Sequence, residues 1–111
     1  MKILVIDPDS KNAKVYGEKI IKAGAEMELA TSAYESTKML RKLESFKKGQ
    51  DELVGIIVSE LLPDISGELF KAVLTEMKKP KLPPSILVKS INEDDMTIND
   101  YIGTVLQAKD N

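Results

Sequence analysis

The chain has 111 residues, 42% of them hydrophobic and 31% charged, with a formal net charge of −2. That length buries roughly two thirds of the unfolded surface, so no metal or disulfide is needed for folding, and the composition excludes a disordered chain. With neither histidine nor cysteine, thiolate catalysis, thiolate zinc sites and the commonest general base are excluded, and the acidic balance argues against nucleic acid as a direct partner.

Lys2 to Ile6, KILVI, is a continuous apolar run and is predicted to be a strand covered on both faces. Asp9 or Ser10 can cap the helix that follows, in which Ala13, Tyr16, Ile20 and Ala23 recur at helical spacing and Gly24 marks the stop. Met27 and Leu29 alternate with Glu26 and Glu28, the pattern of a half-buried strand near a sheet edge. Ser32 with Glu35 forms a capping box. Behind it Tyr34, Thr37, Leu40, Leu43 and Phe46 share a helical face that runs to a solvated Lys47, Lys48, Gly49 end.

Leu53 to Val58 is a third strand, apolar throughout. Helix three takes Leu69, Phe70, Val73, Leu74 and Met77 and stops before Pro80. The segment Lys78, Lys79, Pro80, Lys81 with Pro83 and Pro84 makes a stiff basic connector. Ser85 to Val88 is a fourth strand, and Asn92 can cap a last helix carrying Ile98, Tyr101, Ile102, Val105 and Leu106. Strict alternation of strand and helix implies a parallel sheet with helices on both faces, and one domain over residues 1–111. Asp7, Ser59 and Lys89 or Ser90 then fall at strand carboxyl ends, where open sheets of this kind place their functional crevice.

No apolar run approaches the roughly 18 residues of a membrane span, and Met1 leads into KILVI without a basic n-region or cleavage site. A cytoplasmic protein without a membrane partner is expected. No GxGxxG or P-loop spacing occurs, which argues against nucleotide binding by those routes.

Three segments carry a family resemblance: ILVIDPD at residues 3–9, VSELLPDISG at 58–67 and ILVKS at 86–90. They resemble the response-regulator receiver domain. In that family an aspartate phosphoacceptor ends a buried strand, a proline follows four positions later, and a glycine opens the next helix. Pro63 and Gly67 match, while Ser59 stands where the aspartate belongs. The resemblance implies a three-layer, flavodoxin-like (CheY-like) α/β fold, shortened to four strands alternating with four helices.

Family chemistry uses a carboxylate cluster that holds magnesium while the aspartate attacks a phosphoryl group. Asp7 matches the first acid of the acidic pair, and Pro8, which has no donor atom, takes the place of the second. Ser59 cannot form an acyl phosphate and has no histidine to activate it. Asp9 and Glu60 are the nearest carboxylates that could complete a residual cation site with Asp7, although Asp9 suits helix capping and Glu60 suits solvent. Lys89 and Ser90 have two readings. As a fourth strand end, Ser90 resembles the family hydroxyl one position late. As a fifth, Lys89 resembles the family lysine, able to pair with Asp7, and residues 92–109 resemble the terminal helix.

The resemblance therefore implies a degenerate receiver without catalytic residues or cofactor. It would act in signal transduction as a phosphorylation-independent protein-binding module, whose partner is a kinase, regulator or effector, or a second copy of the chain. Tyr101 and its neighbours are candidates for the contact surface. Two other readings stand beside it: a phosphoreceiver with a shifted magnesium site at Asp7, Asp9 and Glu60, and a small-molecule-binding α/β domain.

Overall fold

The computed structural model of the chain describes residues 1–43, 52–77 and 82–110. Strands β1 (Lys2–Ile6), β2 (Glu26–Ala30), β3 (Leu53–Ser59) and β4 (Ser85–Val88) alternate with helices α1 (Ser10–Lys22), α2 (Ala33–Leu43), α3 (Gly67–Glu76) and α4 (Asp95–Asp110). The strands form one parallel sheet in the order β2-β1-β3-β4. The expected shortened α/β fold is thus the observed one. Phe46, Lys47, Lys48, Gly49 and the run Lys78, Lys79, Pro80, Lys81 lie outside the described residues.

β1 is the centre of the molecule, with Ile3, Leu4, Val5 and Ile6 at 0% exposure. Its alternate residues feed two cores. Ile3 and Val5 pack with Tyr16 and Ile20 of α1 and with Ile98, Ile102 and Val105 of α4. Leu4 and Ile6 pack on the other face with Ala33 and Leu40 of α2 and with Phe70 and Leu74 of α3. Right-handed crossovers require helices that step the chain in the same direction to share a face, which α2 and α3 do. Helix α4 returns to the face of α1, where Lys19 holds it through Asp95 and, at 3.2 Å, through Asn99.

Local signals account for most element boundaries. Asp9 caps α1, its Oδ1 accepting the N–H groups of Lys11 at 2.8 Å and Asn12 at 3.3 Å, and Gly24 takes φ 90° just after the helix. Ser66 caps α3 through the N–H of Leu69 at 3.1 Å. At α2 the Ser32 hydroxyl accepts from Glu35 N–H at 3.0 Å, but the Glu35 carboxylate turns to Thr31, so only half of the capping box forms.

Three expectations about helix faces and caps are corrected. Tyr34 is 67% exposed, because the buried stripe of α2 runs through Ala33, Ser36 and Leu40; Lys38 sits 4.5 Å over its ring. Leu69 and Val73 are exposed too, since Phe70 and Leu74 alone carry the inward direction of α3. Asn92 does not cap the last helix. The chain turns once more, and Asp94, immediately before α4, accepts from Lys89 and Ser90 N–H with its carboxylate and from Ile98 N–H with its carbonyl.

One irregularity explains the place of Tyr101. The β1–β3 register slips between Lys2 and Ile3, which pair with Leu53 and Gly55, so Val54 is an extra residue. The bulge turns Val54 towards the α1–α4 core and leaves Gly55 beneath Tyr101, whose hydroxyl would lie 2.7 Å from an added Cβ. That hydroxyl accepts from Ile56 N–H at 2.8 Å and donates towards the carbonyls of Pro84 and Ile56. Tyr101 thus ties α4 to the start of the β3–β4 ladder, and burial pushes its phenol up to about 12. It is a structural residue, not an exposed contact. Tyr101→Phe is expected to lower the unfolding free energy by only about 0.5–1.5 kcal/mol, since Ile56 N–H and the Pro84 carbonyl stay bonded to each other at 3.2 Å, with a lower urea midpoint at unchanged m-value.

Candidate functional site

Parallel strands that leave β1 in opposite directions open a crevice at their carboxyl ends. Here it measures about 400 Å³ and is lined by Asp7, Ser59, Lys89 and Ser90 from the ends of β1, β3 and β4 and by Tyr16 from α1. The sequence-predicted positions Asp7, Pro8, Asp9, Ser59, Lys89 and Ser90 all line it. Glu60 does not.

Asp7 is the deepest of these, 3% exposed at the end of the most buried strand. Its Oδ1 accepts Asp9 N–H at 2.8 Å, and its Oδ2 accepts the Asn12 side-chain amide at 3.1 Å. Burial raises its pKa above the ordinary carboxylate value, against the lowering effect of those two bonds. Among the described residues no lysine or arginine pairs with Asp7: Lys89 is exposed and the Lys89–Asp7 ion pair does not form. Asp94 explains why, since it fixes the backbone of Lys89 and Ser90 at 2.9 and 3.1 Å and sets the course of the loop.

Ser59 ends β3 with its hydroxyl accepting Leu61 N–H at 3.3 Å. Glu60 follows it, but both its backbone groups are committed, its N–H to Val88 at 2.9 Å and its carbonyl to Gly67 N–H at 2.9 Å. A β-bridge between Leu61 and Ser66 closes the loop. Gly67 is required here because a Cβ would lie 1.8 Å from the Ser59 carbonyl oxygen. The tight loop survives, whatever residue stands at position 59.

Tyr16 reaches the crevice from α1. Burial first, then the charges of Asp7 and Asp94, push its phenol pKa upward, so it keeps its proton. A hydroxyl that holds its proton this firmly donates hydrogen bonds and does not act as a base.

These residues do not suit a magnesium ion, which needs several oxygens converging in octahedral geometry. Pro8 contributes none, Asp9 is engaged at the α1 N-terminus, both Asp7 oxygens take internal donors, and Glu60 lies outside the crevice. Among the described residues no group of three or more acidic side chains gathers in metal-binding geometry. The residual cation site at Asp7, Asp9 and Glu60 is therefore not assembled.

Sequence reading missed Asn12, Asp94 and Asp64. Asp64, in the loop after Ser59, reaches back to α2, its carboxylate accepting Ala33 N–H at 3.1 Å and Tyr34 N–H at 2.8 Å. Its Pro-Asp context signals a turn, but nothing local announces that it caps a helix about thirty residues earlier. The bond from Tyr34, with that from Ala33, holds its pKa below the usual carboxylate value.

No protein-family model matches the chain, and no curated protein matches it in sequence. Solved structures do. The signal receiver domain of a signal transduction histidine kinase from Syntrophus aciditrophicus is 14% identical with a TM-score of 0.68, over 96% of this chain and 90% of that one. A CheY-like response regulator receiver domain from Methylobacillus flagellatus is 17% identical with a TM-score of 0.61, over 92% and 80%. The manganese-bound form of a response regulator is 17% identical with a TM-score of 0.62, over 91% and 74%. These likenesses establish the CheY-like receiver fold.

Two titrations test the site. Asp7→Asn is expected to raise Tm by a few degrees at neutral pH. The wild type loses stability as pH rises from the unfolded-state value near 3.8 through the raised folded pKa, whereas the amide does not; the difference should vanish below that range in a pH series of thermal melts. Asp64→Ala has the opposite sign. It should lower Tm at neutral pH, and its effect should fade as acid takes the wild type down through the depressed folded pKa, below 3.8.

Proposed function

We propose that the protein is a receiver-fold signalling module that works by binding another protein and neither accepts nor transfers phosphate. One observation carries this reading. At the end of β3 the crevice presents the Ser59 hydroxyl, already bonded to Leu61 N–H, and the chain has no histidine to serve as its base. Asp7 is the deepest carboxylate of the crevice, and its oxygens are turned to Asp9 and Asn12.

The loop architecture is retained around this altered chemistry. Gly67, the Leu61–Ser66 bridge and the Asp64 cap keep β3, α2 and α3 in register. The occupant expected is a signalling protein such as a kinase, regulator or effector. Among the described residues no helix is long and apolar enough to cross a membrane.

Incubation with magnesium and a small acyl phosphate, followed by intact-mass measurement, tests the reading. The mass is expected to stay unchanged. A stoichiometric, hydroxylamine-labile adduct would overturn the proposal, because only a carboxylate acceptor gives that product.

A further inference from the structure

The crevice holds two side chains whose bonding the protein leaves incomplete. Asp7 is 3% exposed, and no lysine or arginine among the described residues pairs with it. Each of its oxygens accepts one donor, from Asp9 N–H and from the Asn12 amide, and keeps a further lone pair. Tyr16 is 1% exposed and lines the same crevice. Its hydroxyl has no hydrogen-bond partner among the described residues, where every fully enclosed side-chain oxygen or nitrogen has one. The little surface that Tyr16 leaves open is therefore its hydroxyl, aimed into the crevice. Each loop at this end of the sheet, 7–9, 31–32, 60–66 and 89–94, is described from end to end.

We propose that the crevice receives a primary ammonium group carried on an aliphatic stem, seated between the Asp7 carboxylate and the Tyr16 hydroxyl. A buried carboxylate without a counter-charge is costly, and a cation brought beside it relieves that cost. The charges of Asp7 and Asp94 both act at Tyr16, which adds to the attraction. A metal ion needs several free oxygens in fixed geometry, which the described residues do not gather. A guanidinium seeks both oxygens of one carboxylate in parallel, and both already hold a donor.

An ammonium has three donors on a single atom and shares oxygens that already hold one bond. The protonated phenol of Tyr16 offers it a neutral acceptor. Pro8, Leu61, Val88 and Ile91 supply apolar wall for a methylene stem. Lys89 also lines the crevice, but it is exposed and solvent screens its charge. A protein partner brings such a group as a lysine side chain, a source that rests on the protein-binding reading above, and a metabolite brings it as a free amine.

The test is a titration of the ¹⁵N-labelled chain with n-butylammonium chloride, followed by amide chemical shifts at constant ionic strength. Saturable shifts are expected at Asp9, Asn12 and Ser90, with a Kd on the order of 1–10 mM for so small a ligand. n-Butanol, the neutral analogue, should give none. Asp7→Asn should weaken binding about tenfold or more. Tyr16→Phe removes a hydroxyl with no protein partner, so it should keep the fold and weaken binding roughly threefold. Shifts that never saturate, an affinity indifferent to either substitution, or equal shifts with n-butanol would overturn the proposal. So would magnesium chloride producing the same shifts at lower concentration. Nα-acetyl-lysine methylamide separates the sources: tighter binding than n-butylammonium points to a protein lysine and weaker binding to a free amine, and either upholds the site. None of these results touches the phosphate measurement, which tests the protein-binding reading by itself.

Discussion

β1 has no solvent-facing side. Four consecutive residues, Ile3 to Ile6, are fully enclosed, and a strand apolar on both faces can be satisfied only if helices cover the sheet above and below. That demand sets the layer order, places β1 between β2 and β3, and leaves the residue after it at the bottom of a crevice. Asp7 is buried because β1 is buried. Its raised pKa, its reliance on Asn12 and Asp9, and the position of Tyr16 beside it are consequences of the same enclosure.

The crevice is shaped by the backbone as much as by its side chains. Its walls depend on backbone geometry: the close passage of Gly67 against the Ser59 carbonyl, the bridge from Leu61 to Ser66, and Asp94 holding the start of the β4–α4 loop. None of these requires a carboxylate at position 59. Asp64 adds a long-range tie, since the loop that shapes the crevice also caps α2.

Periodicity revealed the order of elements because each core-facing pattern is local. KILVI is the run of a strand covered on both faces, and Ile98, Ile102 and Val105 recur at the spacing of one helical face. It misjudged Tyr34, Leu69 and Val73 for a related reason. Hydrophobic residues flank the buried stripe on α2 and α3, and a pattern cannot say which of two adjacent stripes meets the sheet. The Val54 bulge and the Tyr101 hydroxyl were equally hidden, since a single inserted residue has no signature until its partner strand is in place.

At the site, the sequence by itself determined which chemical groups are present: a hydroxyl at Ser59, a side chain without a donor atom at Pro8, and no histidine to activate a hydroxyl. It also determined the tight loop, because Pro63 fixes its own φ and Gly67 lacks the Cβ that would strike the Ser59 carbonyl. Tertiary structure alone decided what those groups touch. That Asp7 pairs with Asn12 and not with Lys89, that Glu60 stands outside the crevice, and that Asp64 serves α2 are outcomes of distance in space between residues far apart in the chain or turned by one position. Hydrogen bonding and desolvation act over a few ångströms of space, and residue spacing along the chain does not encode those distances until the sheet has been assembled.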